Sequence, residues 1–243
     1  MAKIQESKAY KYCEWVLQKD NQKAPSYVKK QCESWKRIAD GEDSEAYVSE
    51  KTYEKIMKLL GLMVHPDLQK PLNESLEDYA MLFITATFCT KTMDPDIDTE
   101  VRFYETALLK IARKNFKTFN AAVIFILLML TEPRFSRFFS VAPDLKLSKE
   151  LQIAIKKIIK SSPILSDELE PVFKTLRNEI RCNLTESEYT PLAYSEDKMD
   201  GKLPSAFLAD EAGAMDSYPV EAMRSGQITV TNPLGIILST EYP

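Results

Sequence analysis

Two short stretches of this chain carry side chains whose types and spacing could do phosphate chemistry. The first is Ser205-Ala206-Phe207-Leu208-Ala209-Asp210-Glu211-Ala212-Gly213, an apolar run that ends in two adjacent carboxylates. Read as a buried strand, it delivers both acids at its carboxyl end, where ligands of open α/β sheets bind. Apolar residues followed by Asp-Glu form the Walker B pattern, in which the Asp helps to hold Mg2+ and the Glu orients and deprotonates an attacking water. A strand running into an acidic turn would be spelled the same way, so the segment alone leaves both readings open. The second stretch, Leu108 to Thr118, passes through Ala112-Arg113-Lys114-Asn115-Phe116-Lys117-Thr118 into an apolar helix. Backbone N–H groups at a helix N-terminus cradle phosphates, Lys117 would reach the terminal phosphates, and the Thr118 hydroxyl would ligate Mg2+. Both glycines of G-x-x-x-x-G-K-S/T are replaced, by Ile111 and Phe116, and a basic turn capping a core helix explains this stretch equally simply.

A third element is Asn232-Pro233-Leu234-Gly235-Ile236-Ile237-Leu238-Ser239-Thr240, an apolar strand that ends in two hydroxyls. Placed beside the acidic strand, Ser239 and Thr240 could sense the state of a phosphate or of the attacking water.

The elements that must position these groups change character along the chain. Over the first ninety or so residues apolar side chains recur at three- and four-residue steps, as in Tyr12, Trp15, Val16 and Tyr53, Ile56, Leu59, Leu60, which predicts helices. An apolar helix over Leu76 to Phe88 and a polar loop over Lys91 to Thr99 follow, and the loop marks a boundary between residues 1–95 and 96–243. Beyond Val101 short strand-like runs alternate with helical patterns, so the fold class expected is α/β. Strands are expected near Ile111, over Phe138 to Val141, around Ile180 and Tyr189, over Ala206 to Ala209 and over Leu234 to Leu238. Helices are expected over Lys117 to Leu130, Leu147 to Ser161 and Val220 to Met223.

Bulk composition narrows the chemistry. The chain has 243 residues with a net charge of −4, so any polyanion must be held by a local basic surface. Four dispersed cysteines and one histidine, His65, lack metal-ligand spacing, and reduced thiols are expected. The longest apolar run, Ala121 to Leu130, is about half of a bilayer span, so it reads as a buried helix with no membrane role. Six glycines stand where about 17 would be usual, and none falls between Gly61 and Gly201, which excludes a Rossmann loop and a phosphate loop of standard spelling.

At the three motifs the order and spacing resemble the large terminase subunit of tailed bacteriophages, the motor that packages DNA. Its phosphate loop typically reads Ala-Arg-Lys-Asn-Gly-Lys-Ser/Thr, and six of seven positions fit Ala112 to Thr118. Its Asp-Glu strand matches Phe207 to Glu211, its Leu-Arg-Ser-Gly-like turn matches Met223-Arg224-Ser225-Gly226, and its Pro-Leu…Ser-Thr coupling strand matches Pro233 to Thr240. Among the N-terminal helices, Tyr27-Val28-Lys29-Lys30-Gln31-Cys32-Glu33 resembles the family's Tyr-Val-Lys-x-x-Cys-Glu stretch.

The resemblance implies a P-loop NTPase fold of the ASCE type, with a mostly parallel sheet flanked by helices and preceded by an N-terminal helical region. It implies ATP and Mg2+ as substrate and cofactor, with Ala112, Lys114, Asn115, Phe116, Lys117 and Thr118 around the nucleotide and Thr118 and Asp210 on the metal. Glu211 would be the catalytic base, Arg113 would stabilise the γ-phosphate, Ser239 and Thr240 would couple hydrolysis to motion, and Arg224 is a candidate arginine finger. Tyr79 stands near the family's adenine-binding aromatic, but its Gln partner is missing and core packing accounts for it better. Partners implied are double-stranded DNA, the portal protein and the small terminase subunit, with a homo-oligomeric ring on the procapsid in the cytoplasm of a bacterial host. Because Glu241-Tyr242-Pro243 follow the coupling strand directly, the nuclease of full-length relatives is not expected here. Phe116 in place of the glycine implies a collapsed or displaced loop without nucleotide and modest ATP affinity. Two other readings stand beside this one: a degenerate P-loop docking module, which the joint retention of Lys117, Thr118, Asp210 and Glu211 opposes, and another P-loop translocase or helicase.

Overall fold

The structure, a computed structural model, describes residues 3–19, 21, 23–112, 114–193 and 201–240. The chain packs as two compact units, one of Met1–Gly61 and Asn73–Tyr104, the other of Leu62–Leu72 and Glu105–Pro243.

The first unit is mainly helical, with α1 (Lys8–Val16), α2 (Ser26–Ala39), α3 (Glu50–Leu62) and α5 (Asp78–Cys89), and the short α4 (Leu72–Ser75) between the last two. The periodic apolar positions are the buried ones: Tyr10, Cys13 and Val16 on α1, Cys32, Trp35 and Ile38 on α2, Tyr53, Ile56 and Leu60 on α3. Ser7 caps α1 by accepting from the Tyr10 N–H at 3.1 Å. The polar stretch expected as a boundary loop is instead part of an antiparallel sheet, β1 (Tyr47–Val48), β2 (Thr90–Asp94) and β3 (Thr99–Arg102). Most of its side chains are half-buried or exposed, so no apolar alternation announced the strands. Packing keeps this hairpin with the helices as far as Tyr104. Among the described residues the four cysteines are buried and free.

The second unit is the expected α/β structure. Its sheet has the order β4 (Thr106–Ile111), β10 (Leu234–Thr240), β9 (Ala206–Ala209), β5 (Arg137–Ala142), β8 (Ser187–Ala193), β7 (Ile180–Cys182), β6 (Phe173–Thr175). The first five run parallel, and β7 and β6 return antiparallel at one edge. Helix α6 (Lys117–Thr131) follows β4, α7 (Leu145–Ser161) follows β5, and α8 (Tyr218–Ser225) precedes β10. Strand β10 thus lies between β4 and β9, the inserted strand that the ASCE arrangement requires.

Both faces of this sheet are covered, which explains its continuous apolar strands. On one face Phe138 packs edge-on against Phe125 of α6, and the Ser140 hydroxyl bonds Tyr189 at 2.7 Å and Ser148 of α7 at 3.0 Å. On the other face Phe139, Val141, Phe207 and Ala209 form a cluster with Met223 of α8. The apolar run in α6 is wholly enclosed, Ala122 to Met129 having no exposure. Among the described residues no helix is long and apolar enough to cross a membrane.

Gly235 is where β10 passes closest to its neighbours. A Cβ there would stand 2.8 Å from Phe207 Cζ and 3.0 Å from Arg224 Nη2. Gly235→Ala should therefore destabilise the chain by about 1–3 kcal/mol through overpacking. Urea denaturation checks this, and an unchanged midpoint would contradict it.

Candidate nucleotide site

Three parallel strands end at one place. Beyond β4 the chain turns into α6, beyond β9 it delivers Asp210 and Glu211, and β10 finishes between them with Thr240. Because β9 stays in register with β5, the Asp210 N–H still donates to the Val141 carbonyl at 2.9 Å, which fixes where the acids begin. The Glu211 N–H then donates to Asp210 Oδ1 at 2.8 Å, and Glu211 adopts a left-handed backbone with φ 52°.

The turn before α6 has two further left-handed residues, Lys114 (φ 66°) and Phe116 (φ 56°). Phe116 stands where a phosphate loop ordinarily has glycine, and it takes the backbone conformation that glycine adopts freely and a bulky residue resists. Its ring lies 55% exposed at the mouth of the cavity. Asn115 Nδ2 closes the turn by donating to the Ala112 carbonyl at 3.1 Å. No side chain caps α6. The first N–H groups of this 15-residue helix are therefore available to an anion, and its dipole favours one.

Lys117 gathers the site. Its Nζ lies 2.6 Å from Glu211 Oε1, 2.9 Å from Asp210 Oδ1 and 3.3 Å from Thr240 Oγ1. Thr240 Oγ1 lies 2.8 and 3.0 Å from the two Glu211 oxygens, and its hydroxyl donates to that carboxylate. A cavity of about 390 Å³ adjoins the cluster, lined by Ala112, Lys114, Phe116, Lys117, Thr118, Phe119, Glu211 and Thr240.

Charge pairing outweighs burial in this cluster. Burial pushes the Lys117 pKa down, but the hydrogen bonds and charges of Glu211 and Asp210 overcome it, and the pKa is raised. Burial likewise pushes the Glu211 carboxyl up, whereas the Lys117 ammonium and the Thr240 hydroxyl bring it below the ordinary carboxylate value. The arrangement can bind an oligophosphate through Lys117 and the start of α6, and it holds an ionised carboxylate beside it. Asp210 and Thr118 supply hard oxygen donors. Among the described residues no cluster of three His, Cys, Asp or Glu forms a complete cation cage.

Of the residues expected at the site, Ala112, Lys114, Phe116, Lys117, Thr118, Glu211 and Thr240 line one cavity, and Asp210 joins them through Lys117. Ser239 does not meet Lys117, because alternation along β10 turns it to the other face, beside the turn at Gly213. Arg224 lies at the opposite end of the sheet, where its guanidinium bonds the Thr106 hydroxyl and the Glu105 carbonyl and spreads over the Phe207 ring. Tyr79 sits on α5 in the first unit and is not among the cavity residues. Arg113 falls outside the described residues. The expected collapse of the loop takes a specific form: the backbone keeps a glycine-like turn, and Lys117 folds onto the acids. Sequence reading missed Phe119, which directly follows Thr118, and His65, which stacks on it with ring centroids 4.5 Å apart. Adjacency to the Lys-Thr pair was the one local signal for Phe119, while nothing in the motif pointed to a histidine some fifty positions upstream.

Comparison with known proteins yields one family and several folds. The family model for the terminase large subunit, ATPase domain, matches residues 97–242. The large terminase of bacteriophage HK97 has a similar structure, with a TM-score of 0.60 and 21% identity over 76% of this chain and 37% of that one. The large terminase ATPase domain of a Thermus phage superposes with a TM-score of 0.46 and 16% identity over 58% of this chain and 62% of that one. The present chain thus spans little more than a third of the HK97 protein. No curated protein matches.

The pairing sets a pH dependence. A carboxyl whose pKa is lowered by folding stabilises the fold above its unfolded value and loses that contribution as pH falls through the folded one. Wild type should therefore be more stable than Glu211→Gln near neutrality, by about 1–2 kcal/mol for a partly exposed pair. The gap should close as pH drops through and below the ordinary carboxylate range. Denaturation at a series of pH values checks this, and a gap independent of pH would contradict it.

Proposed function

The chain belongs to the family of terminase large-subunit ATPase domains, and from that premise we propose that it hydrolyses ATP to drive double-stranded DNA into a viral procapsid. The observation that carries this reading is the convergence of Lys117, Asp210, Glu211 and Thr240 beside one phosphate-sized cavity at the carboxyl ends of parallel strands. The terminal phosphates of ATP bind the first turn of α6, and Lys117 leaves the two carboxylates to pair with the β- and γ-phosphates.

Thr118 and Asp210 fit Mg2+, which takes one or two protein oxygens beside substrate phosphates and keeps several waters. The fit is supported by Asp210 already holding a cationic group, the Lys117 ammonium, at 2.9 Å. When bound, the ion neutralises charge on the β- and γ-phosphate oxygens. The water oxygen attacks the γ-phosphorus, the bond from phosphorus to the ADP oxygen breaks, and Glu211 takes the proton from water. While Lys117 holds Glu211, that carboxylate is a poor base. Movement of Lys117 to the phosphates removes its strongest cationic partner, so Glu211 gains basicity once nucleotide is in place. The Thr240 hydroxyl, shared with Glu211, moves with that change and passes it into β10; Ser239, on the other face, carries it to the turn after Glu211.

The same premise gives the assembly: a homo-oligomeric ring on a procapsid in the cytoplasm of a bacterial host, with portal protein and small terminase subunit as partners. DNA binding in such a ring is local and salt-dependent, which the net charge of −4 permits. Arg113 stabilises the γ-phosphate, and Arg224 acts as a finger on a neighbouring subunit by releasing Thr106. ATP affinity is modest, since Phe116 restricts the approach of the phosphates. DNA cleavage is not part of this chain's activity.

Mg2+-dependent ATP hydrolysis by the chain, compared with Lys117→Ala and Glu211→Gln, tests the reading. Each variant should lose at least about 100-fold in turnover, with Lys117→Ala also losing ATP binding and Glu211→Gln retaining it. Hydrolysis at the wild-type rate in both variants would defeat the proposal.

A further inference from the structure

Beside the phosphate cavity lies a second one of about 320 Å³, and the two share Phe116, Thr118 and Phe119. One wall of the second cavity is Ile153, Ala154 and Lys157 of α7; the opposite wall is built by a segment from far upstream. Residues Leu62–Leu72 leave the first unit's chain path and pack with the second unit. There they form a closed turn. The His65 N–H donates to the Lys70 carbonyl at 2.8 Å, the Leu72 N–H donates to the Met63 carbonyl at 2.9 Å, and Val64 pairs with Pro71. The Val64 N–H also donates to Ser162 Oγ at 2.9 Å, which ties the turn to the end of α7.

The turn fixes one side chain. His65 is only 8% exposed, and its Nδ1 accepts the N–H groups of Asp67 and Leu68, each at 3.2 Å. An Nδ1 that accepts two donors carries no proton, so the ring proton resides on Nε2 as a hydrogen-bond donor. The imidazole is held against the Phe119 ring, tilted by 42°. The second cavity therefore offers aromatic surface from Phe119 and Phe116, an apolar floor from α7 and one buried donor of fixed tautomer. It opens onto the site that would hold the phosphates. Base rings stack on aromatic side chains, and a purine adds unsubstituted ring nitrogens as acceptors and more stacking area than a pyrimidine.

We propose that this second cavity is the nucleoside subsite, in which His65 and Phe119 bind a purine base while its phosphates reach Lys117. The Leu62–Leu72 turn would then be a specificity element of the second unit. The proposal rests on the ATPase reading above, and the test separates the two.

Isothermal titration of the full chain with ATP, CTP and inorganic tripolyphosphate is the experiment, in wild type, His65→Ala and Ala154→Trp. The Ala154 variant fills the cavity without touching the His65 turn, and a tripolyphosphate affinity equal to that of wild type reports an intact phosphate site. Wild type should bind ATP at least about tenfold more tightly than CTP or tripolyphosphate. Ala154→Trp and His65→Ala should abolish that margin while leaving tripolyphosphate binding unchanged. Photolabelling with 8-azido-ATP should mark the peptides carrying His65 or Ile153. Equal binding of ATP and tripolyphosphate by wild type, an ATP margin that survives Ala154→Trp, or labelling confined to other peptides would overturn the subsite alone. Binding of neither ATP nor tripolyphosphate would overturn the ATPase reading, and this inference with it.

Discussion

The ammonium of Lys117, shared between the carboxylates of Asp210 and Glu211, is the interaction that the second unit is arranged to make. Each group is worth little apart from the others. An ammonium at 12% side-chain exposure and two adjacent carboxylates would each carry a desolvation cost without a partner. Their meeting requires that β4, β9 and β10 end level with one another, and the parallel register from Thr106 opposite Gly235 to Ile111 opposite Thr240 supplies that level. Inserting β10 between the loop strand and the acidic strand brings the Thr240 hydroxyl into the cluster. One cation, two anions and a hydroxyl then form a closed set whose members an incoming phosphate can exchange.

The same place concentrates backbone conformations that L-residues avoid. Lys114, Phe116 and Glu211 all have positive φ and all border the cavity or the ion cluster. Such residues persist only where their surroundings over-determine them, and here the surroundings are rigid. Helix α6 is enclosed along Ala122 to Met129, and β9 is buried along its whole length. A chain with few glycines has built the turn of a phosphate loop from a phenylalanine by anchoring the elements on either side of it. The cost falls on the loop, which is the part that must change shape when nucleotide arrives.

How much of this was legible in the sequence depended on whether a signal was local. The strand Ala206–Ala209 and the helix after Lys117 could be placed almost to the residue, because apolar runs bounded by charged or turn residues leave little freedom. The parallel α/β class followed from their alternation. The hairpin of β2 and β3 was missed because its strands bury few side chains, so their sequence lacks the alternation that reveals a strand. At the site, the types Lys117, Asp210, Glu211 and Thr240 were readable from their motifs. The mutual hydrogen bonds were not, since they depend on a strand order that no local window contains. His65 was illegible for a related reason: its role depends on a turn that packs with a unit whose main sequence begins some forty residues later.

The central claim is that Lys117 exchanges the carboxylates for phosphates when nucleotide binds, and that this exchange frees Glu211 to act as a base. A crystal structure of the chain with Mg2+ and a non-hydrolysable ATP analogue tests it most directly. The account predicts Lys117 Nζ within hydrogen-bond distance of the β- and γ-phosphate oxygens and out of reach of Glu211 Oε1. An Nζ still 2.6 Å from Glu211 with the analogue bound would contradict it.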